Sequence, residues 1–296
     1  MFDWNPGTEI FNLIQGMIGI WNDFVALAMD YLGLDIEQLS KAISKEGSSI
    51  SVVLKTLEDN LFEPVACGLV VIFFLWNFIG ETIDLRDKLK LYKFFISLGK
   101  LCLAQVCICY AREIVSAIMQ IGINIVDLIT TSGMVGNLKV EIHDANTYAD
   151  VLGDMSFFPA LFLLIVAFIA VIIVLGCSII MVYMVISRFI KIFILIPFGI
   201  LGFSTIVGGR EMSASSKAFI KYIILTVLEG VLIVVTLKIT SVWNGIGLEK
   251  ILNADFKATG TIFDGIVWIL DTMLPMVMTV GLVKTAQSLL GKALAL

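Results

Sequence analysis

The ionisable side chains inside apolar stretches are the first candidates for chemistry in this sequence. Arg112, Glu113, Glu229, Lys238 and Asp271 interrupt runs that are otherwise hydrophobic. Each such group costs at least about 2.5 to 3.5 kcal/mol to insert into hydrocarbon, so its presence needs a reason. Two reasons stay open: the charges pair to hold helices together, or they serve a site for an ion or polar substrate. Pairing is the more frequent reason.

Counting along the helices suggests which charges meet. Arg112 and Glu229 each lie about 18 Å from the basic end of a helix, at 1.5 Å per residue, on two helices expected to run the same way. A similar count places Lys238 level with Asp271 on two antiparallel helices. We therefore predict two intramembrane charge pairs, Arg112 with Glu229 and Lys238 with Asp271.

The motifs of common enzymes do not occur in the sequence. It contains no nucleotide-binding loop, nucleophile elbow, paired carboxylate site or zinc-binding helix. His143 is the only histidine, and the five cysteines lie in apolar runs without the C-x-x-C spacing of a zinc or redox site. We expect no enzyme activity, no catalytic or metal-binding residue and no cofactor, although a bound phospholipid is compatible with the composition.

The composition indicates that these charged residues belong to a membrane protein. Hydrophobic residues make up 59% of the 296 residues and charged residues 15%, and the mean hydropathy is +1.00. These values are typical of an integral membrane protein, and the long apolar runs predict an all-α fold. We expect about five transmembrane helices, near residues 64–82, 94–129, 157–187, 218–242 and 262–285.

The first 63 residues are more polar than the rest, which separates an external amphipathic segment (1–63) from a polytopic membrane domain (64–296). Residues 8–32 carry apolar side chains at three- and four-residue spacing among polar ones, which predicts an amphipathic helix too polar to span. Its apolar stripe is expected to lie on a membrane surface or to pack against a neighbour.

Lys and Arg are concentrated on segments expected to face the cytoplasm. These segments carry twelve basic residues against four acidic ones, which predicts an outside N-terminus and an inside C-terminus. The inner-surface basic cluster comprises Arg86, Lys88, Lys90, Lys93, Arg188, Lys191 and Arg210.

The stretch 192–209 is nearly long enough to cross a bilayer, but a full crossing would move Arg210 to the outside. Pro197-Phe198-Gly199 supplies a break at which the chain can turn. We therefore expect a re-entrant segment over 192–209, and whether it crosses fully stays open.

The block "RFIKIFILIPFGILGFSTIVGGREMSASSKAFIKYIILTVLEG" (188–230) and the ending "GLVKTAQSLLGKAL" carry a likeness to a known family. Together with the order of segments, they resemble the TrbL-like polytopic inner-membrane subunit of conjugative type IV secretion systems, in its Gram-positive mobile-element branch. The external loop at 130–156 is short, whereas some Gram-negative relatives carry a large loop there.

The resemblance implies a channel or scaffold subunit of the bacterial cytoplasmic membrane that takes part in exporting DNA and protein between cells. It implies a ring-shaped homo-oligomer, for which a pentamer is one stoichiometry. The implied partners are lipids and other secretion subunits, including ATPases. Transient contact with the exported DNA–protein complex is implied as well. The alternative is a secondary transporter or ion channel that uses the intramembrane charges and the broken segment.

Overall fold

The computed structural model describes residues 6–35, 38, 50–83, 90–131, 140, 156–209, 212–244 and 262–295. Within these ranges the chain is helical apart from short turns, and they contain no strand. The expected all-α fold is therefore confirmed for the described part of the chain.

Eight α-helices make up this part of the chain. They are α1 (Pro6–Leu32), α2 (Ile50–Leu57), α3 (Glu63–Ile83), α4 (Lys90–Cys109), α5 (Ala111–Thr131), α6 (Phe157–Ser204), α7 (Met212–Asn244) and α8 (Ile262–Ala295). A π-helical turn, Glu58–Phe62, joins α2 to α3, and a 3-10 turn, Thr205–Val207, follows α6.

Among the described residues, six helical segments are long and apolar enough to cross a membrane by length and composition, as in a multi-pass membrane protein. They are Gly7–Leu32, Val52–Gly80, Ala111–Thr131, Phe157–Val207, Met212–Val242 and Ile262–Ala293. Four of the five expected spans each fall within one described helix, and the expected span 94–129 is divided between α4 and α5.

Helix α1 is long and apolar enough to span a membrane, although its polar residues predicted a helix too polar to do so. Its apolar stripe is buried against other parts of the same chain: Trp21 is 2% exposed and Ile14 is fully buried. The stripe therefore has a partner within the chain and does not depend on a second subunit or a lipid surface for cover.

The expected long helix over 94–129 is interrupted once, at Tyr110. Helix α4 ends at Cys109 and α5 begins at Ala111. The backbone N–H of Tyr110 still donates to the carbonyl of Val106, and Ile114 donates to Tyr110. The helical hydrogen bonds thus continue past the interruption, and α4 alone is about 30 Å long.

Helix α6 runs unbroken through Pro197-Phe198-Gly199, so the expected break there is wrong. Proline removes one backbone donor, but the remaining helical bonds and the packing around this stretch keep the helix intact. The chain reverses after Ser204 instead, through the 3-10 turn and Gly208. With 48 residues, α6 is about 72 Å long, more than twice the ~30 Å of hydrocarbon.

The chain divides into two compact units. The first unit comprises Met1–Leu32, Val126–Ile186 and Val231–Lys292, and the second comprises Gly33–Ile125, Ser187–Gly230 and Ala293–Leu296. This division differs from the expected boundary at residue 63, because α5, α6 and α7 each contribute to both units.

The first unit packs α1 against later parts of the chain. The ring of Phe11 on α1 stacks on Trp268 of α8, with centroids 6.3 Å apart. The amide of Asn22 donates to the carbonyl of Val140 at 3.0 Å and accepts from its N–H at 2.9 Å. One α1 side chain therefore satisfies both backbone groups of residue 140.

The second unit contains two antiparallel hairpins. One pairs α3 with α4, and the other pairs the end of α6 with the start of α7, where Phe203 meets Phe219 at 5.6 Å. Their shared core joins side chains of α3, α4 and the start of α5 to side chains of α6 and the 3-10 turn. Its buried members are Ala66, Val70, Ala104, Ile108, Ala111, Ile200, Phe203 and Val207.

Candidate functional site

Three contacts show how the α3–α4 hairpin is aligned. Phe78 meets Phe94 at 5.7 Å between ring centroids, and Gln105 lies 3.5 Å from the Cys67 sulfur. From Phe78–Phe94 to Cys67–Gln105, the residue number falls on the α3 side and rises on the α4 side, as in an antiparallel hairpin. The third contact continues this series at the end away from the α3–α4 link and joins Glu58 to Arg112. The short link between α3 and α4 forces this antiparallel arrangement.

Glu58 and Arg112 form an ion pair at that open end. Arg112 Nη2 donates to Glu58 Oε1 at 3.4 Å, and Nε lies 3.2 Å from Oε2. The Glu58 side chain is 8% exposed and that of Arg112 is 36% exposed. Glu58 opens the π-helical turn, a distortion that occurs frequently at functional sites.

A cavity of about 340 Å³ adjoins this ion pair. Helix α2, the π-helical turn and the starts of α3 and α5 provide its charged walls, while α4, α5 and α6 add apolar side chains. The lining residues are Lys55, Glu58, Asp59, Glu63, Ile108, Cys109, Ala111, Arg112, Glu113 and Ile200.

Arg188 forms the second polar centre of this unit. It is 1% exposed, and its Nε donates to the carbonyl of Thr226 at 3.0 Å. Its Nη1 has no hydrogen-bond partner among the described residues. The guanidinium lies where a side chain at Gly230 would otherwise be, so this glycine makes room for it.

Glu229 supplies the negative charge beside this arginine. Its carboxylate attracts the Arg188 guanidinium and lies 3.1 Å from Lys191 Nζ. The Lys191 side chain is 42% exposed, whereas that of Glu229 is only 9% exposed. The buried carboxylate of Glu229 therefore pairs with Lys191, through which the cluster reaches the molecular surface, and its charge also favours the buried guanidinium of Arg188.

The predicted pair of Arg112 with Glu229 is wrong. Arg112 contacts Glu58 and Glu229 contacts Lys191, so both members have other partners. Equal depth allows two charges to meet, but helix packing decides which neighbours are near. Lys238 and Asp271 each take part in an interaction, and their pairing with each other stays a prediction.

The predicted inner-surface cluster is only partly within the described residues. Arg86, Lys88 and Arg210 lie outside them, and Lys90 and Lys93 belong to α4. Arg188 is a buried residue rather than a surface signal, because it points into the α6–α7 hairpin. Lys191 is half-exposed but pairs with Glu229.

The expected re-entrant turn is replaced by the α6–α7 hairpin. Arg188 lies level with Gly230, while Gly209 lies beside Asn77 near the end of α3. About 16 residues of α6 and the 3-10 turn that follows it, roughly 30 Å together, separate these two levels. The return to the level of Arg188 is therefore made by α7, and residues 192–209 do not turn back on themselves.

Sequence reasoning missed Glu58 and Thr226 as partners of the two arginines. The signal for Glu58 was the short link between α3 and α4, since short links make neighbouring helices antiparallel. No sequence signal identified the Thr226 carbonyl, because it is a backbone group.

The comparisons with known proteins found no matching family model, no matching curated protein and no matching solved structure.

Proposed function

We propose that this protein is an inner-membrane channel or scaffold subunit of a conjugative type IV secretion system, taking part in export of DNA and protein between cells. The support is the resemblance of residues 188–230, of the C-terminal ending and of the order of segments to the TrbL-like subunits. The multi-pass helical architecture is compatible with this role.

The observation that carries the proposal is the way the block 188–230 packs. It forms one hairpin in which Arg188 fills the space beside Gly230, and Phe219 packs on Gly199 and Gly202. Large side chains seated on glycines hold two helices at a fixed close distance. A rigid frame of this kind suits a subunit that supports an assembly in the membrane.

The proposal includes the surroundings that the family resemblance implies. The protein sits in the bacterial cytoplasmic membrane with its N-terminus outside and its C-terminus inside. It forms a ring-shaped homo-oligomer and contacts the ATPases and other subunits of the secretion machine. Because the α1 stripe is covered within the chain, the ring uses other surfaces for its contacts.

The test is to purify the full chain with an affinity tag from the membranes of its own host. We expect native mass spectrometry to show a closed homo-oligomer, and a secretion ATPase to co-purify with it. A matched purification of an unrelated tagged polytopic protein controls for carry-over. A monomer that brings no secretion subunit with it contradicts the proposal.

A secondary transporter or ion channel is the second candidate, favoured by one observation. Arg188 is buried in an apolar helix with Nη1 unsatisfied among the described residues, and buried intramembrane charges mark ion or substrate paths by default. Proteoliposomes that hold the purified chain test it. Ion flux that is lost in Arg188→Met would favour this function over the scaffold.

A further inference from the structure

Helix α5 carries a polar stripe on the face that points away from its own chain. Glu113, Gln120, Asn124 and Asp127 are all exposed, and their spacing of seven, four and three residues places them on one side of the helix. The stripe runs about 21 Å along the helix axis. Yet α5 as a whole is long and apolar enough to cross a membrane.

Packing on the opposite side of α5 fixes the direction of this stripe. Val115 and Met119 are buried there, and Gly122 lies so close to Val227 of α7 that a β-carbon would clash with it. Rotation of α5 would pull these residues out of the core. The polar stripe is therefore held away from its own chain.

The amides in the middle of the stripe need partners that lipid cannot supply. Gln120 Nε2 donates to Asn124 Oδ1 at 3.4 Å, and both side chains are exposed. Each amide has further donors and acceptors beyond this one bond. Such groups are costly to leave unpaired in hydrocarbon, so polar side chains of membrane helices face protein or water.

The neighbouring arc of α5 has the opposite character at the same height. Ile121 is 61% exposed and Leu128 is 68% exposed, and each follows a member of the polar stripe by one residue. One residue turns about 100° around the helix and rises about 1.5 Å. Lipid or an apolar protein surface suits this arc, so the surroundings change from apolar to polar around α5 at one depth.

The charge of the stripe favours water over a dry protein contact. Helix α5 contains no Lys or Arg after Arg112, so no later cation on this helix compensates Glu113 or Asp127. In a ring with rotational symmetry, every copy presents the same face to the axis, and identical carboxylates face each other there. Like charges share such a space only when water hydrates them.

We propose that the polar stripe of α5 lines a water-filled passage enclosed by several copies of this chain. Its carboxylates form acidic rings that favour cations over anions. The inference rests on the homo-oligomeric ring of the proposed function, and it adds which face of each copy points toward the axis. The arc of Ile121 and Leu128 faces away from the water.

Cysteine reactivity tests the passage in the full chain. In a chain without the five natural cysteines, reconstituted in nanodiscs, Gln120→Cys and Asn124→Cys should react with a charged, water-soluble methanethiosulfonate reagent. Ile121→Cys and Leu128→Cys are the matched controls on the adjacent exposed arc. They should react at least about tenfold more slowly, because a charged reagent does not enter apolar surroundings.

Two results of this labelling overturn the proposal. Equal reaction at all four positions means that α5 lies in bulk water. No reaction at Gln120→Cys and Asn124→Cys means that the stripe faces lipid or a dry protein contact.

The charge of the reagent tests the acidic rings. At Gln120→Cys in low salt, Glu113→Gln should lower the ratio of the cationic to the anionic reagent's rate about two- to fivefold, as expected for an exposed charge. Glu9→Gln removes an exposed carboxylate of α1 and is the matched control, for which the ratio should not change. Equal ratios in the two variants overturn the cation preference.

Native mass spectrometry of the same samples separates this inference from the proposed function. A closed homo-oligomer in which Gln120→Cys and Asn124→Cys do not react contradicts the passage and leaves the ring standing. A monomer contradicts the ring and the passage together. A closed homo-oligomer in which these two positions react and the controls do not is the result that we expect.

Discussion

The guanidinium of Arg188 on α6 occupies the space that a side chain at position 230 on α7 would need. The Arg188 Nε donates a hydrogen bond to the carbonyl of Thr226, which is also on α7, at 3.0 Å. Arg188 and Gly230 therefore set the distance between α6 and α7 within the second unit. Glu229, the adjacent residue on α7, supplies a negative charge that favours the buried guanidinium.

A methyl group at position 230 should displace Arg188. We expect Gly230→Ala to lower the free energy of unfolding by about 1 to 3 kcal/mol, the usual cost of overpacking a core. Gly176→Ala is the matched control, because a β-carbon there meets no heavy atom within 4 Å, and it should be neutral or slightly stabilising. Thermal unfolding of both variants in detergent gives the comparison, and equal stabilities would show that Arg188 does not need this space.

Loss of Glu229 should be much more damaging than loss of Lys191. Glu229→Gln leaves the buried Arg188 without its counter-charge, and such a loss costs up to about 3 to 5 kcal/mol. Lys191→Gln removes a partly exposed partner and should cost at most about 1 kcal/mol. The free energy of unfolding in detergent measures both, and similar losses would mean that Arg188 draws its compensation from elsewhere.

Arg112 should be energetically coupled to Glu58 and not to Glu229. A double-mutant cycle with Arg112→Leu and Glu58→Leu should give a coupling free energy of about 0.5 to 3 kcal/mol, as for contacting residues. The same cycle with Glu229→Leu in place of Glu58→Leu is the control and should be additive. Coupling to Glu229 alone would restore the pairing that the helix count had suggested.

Lys238 and Asp271 stay a predicted pair, and reversing their charges tests it. Lys238→Asp and Asp271→Lys should each reduce the yield of folded protein in membranes, because each places two like charges together. The double reversal should restore the yield if the side chains are partners. A double variant that is as poor as the worse single variant argues that each residue has a different partner.

The distribution of Lys and Arg still predicts that the start of α7 faces the cytoplasm, although residues 192–209 form no re-entrant turn. In this orientation α6, which is 48 residues long, crosses the membrane once and continues beyond it on the cytoplasmic side. Ser215 is exposed, whereas the nearby Ser216 is 3% exposed and would be shielded on either side of the membrane. In a background without the five natural cysteines, Ser215→Cys should resist an impermeant thiol reagent in intact cells. It should react after permeabilisation, and a cysteine at Asn146 should label from outside. Labelling of Ser215→Cys in intact cells contradicts the orientation.

The sequence was sufficient to predict the apolar helices, because a run of about 20 apolar residues has few other solutions in a membrane. It could not predict that α6 continues through Pro197, since neighbouring helices can compensate for the lost backbone bond. The partner of Arg112 was missed because equal depth along two helices does not decide whether those helices are neighbours. The short link after Ile83 was the better guide, since it places the start of α3 beside the end of α4.

The buried position of Arg188 was beyond sequence reasoning for a different reason. A basic residue at the end of an apolar run is typical of a membrane-surface signal. Only the absence of a side chain at Gly230, on another helix, makes room for the guanidinium. Such a fit depends on two distant positions together, and neither position reveals it alone.

Conjugative transfer is the measurement that tests the proposed function most directly. An in-frame deletion of the gene in its host should reduce transfer of the mobile element to background without affecting growth. The wild-type gene supplied in trans should restore transfer, and Gly176→Ala should restore it as well as wild type. Transfer that continues at the wild-type rate in the deletion strain would contradict a role in the secretion machine.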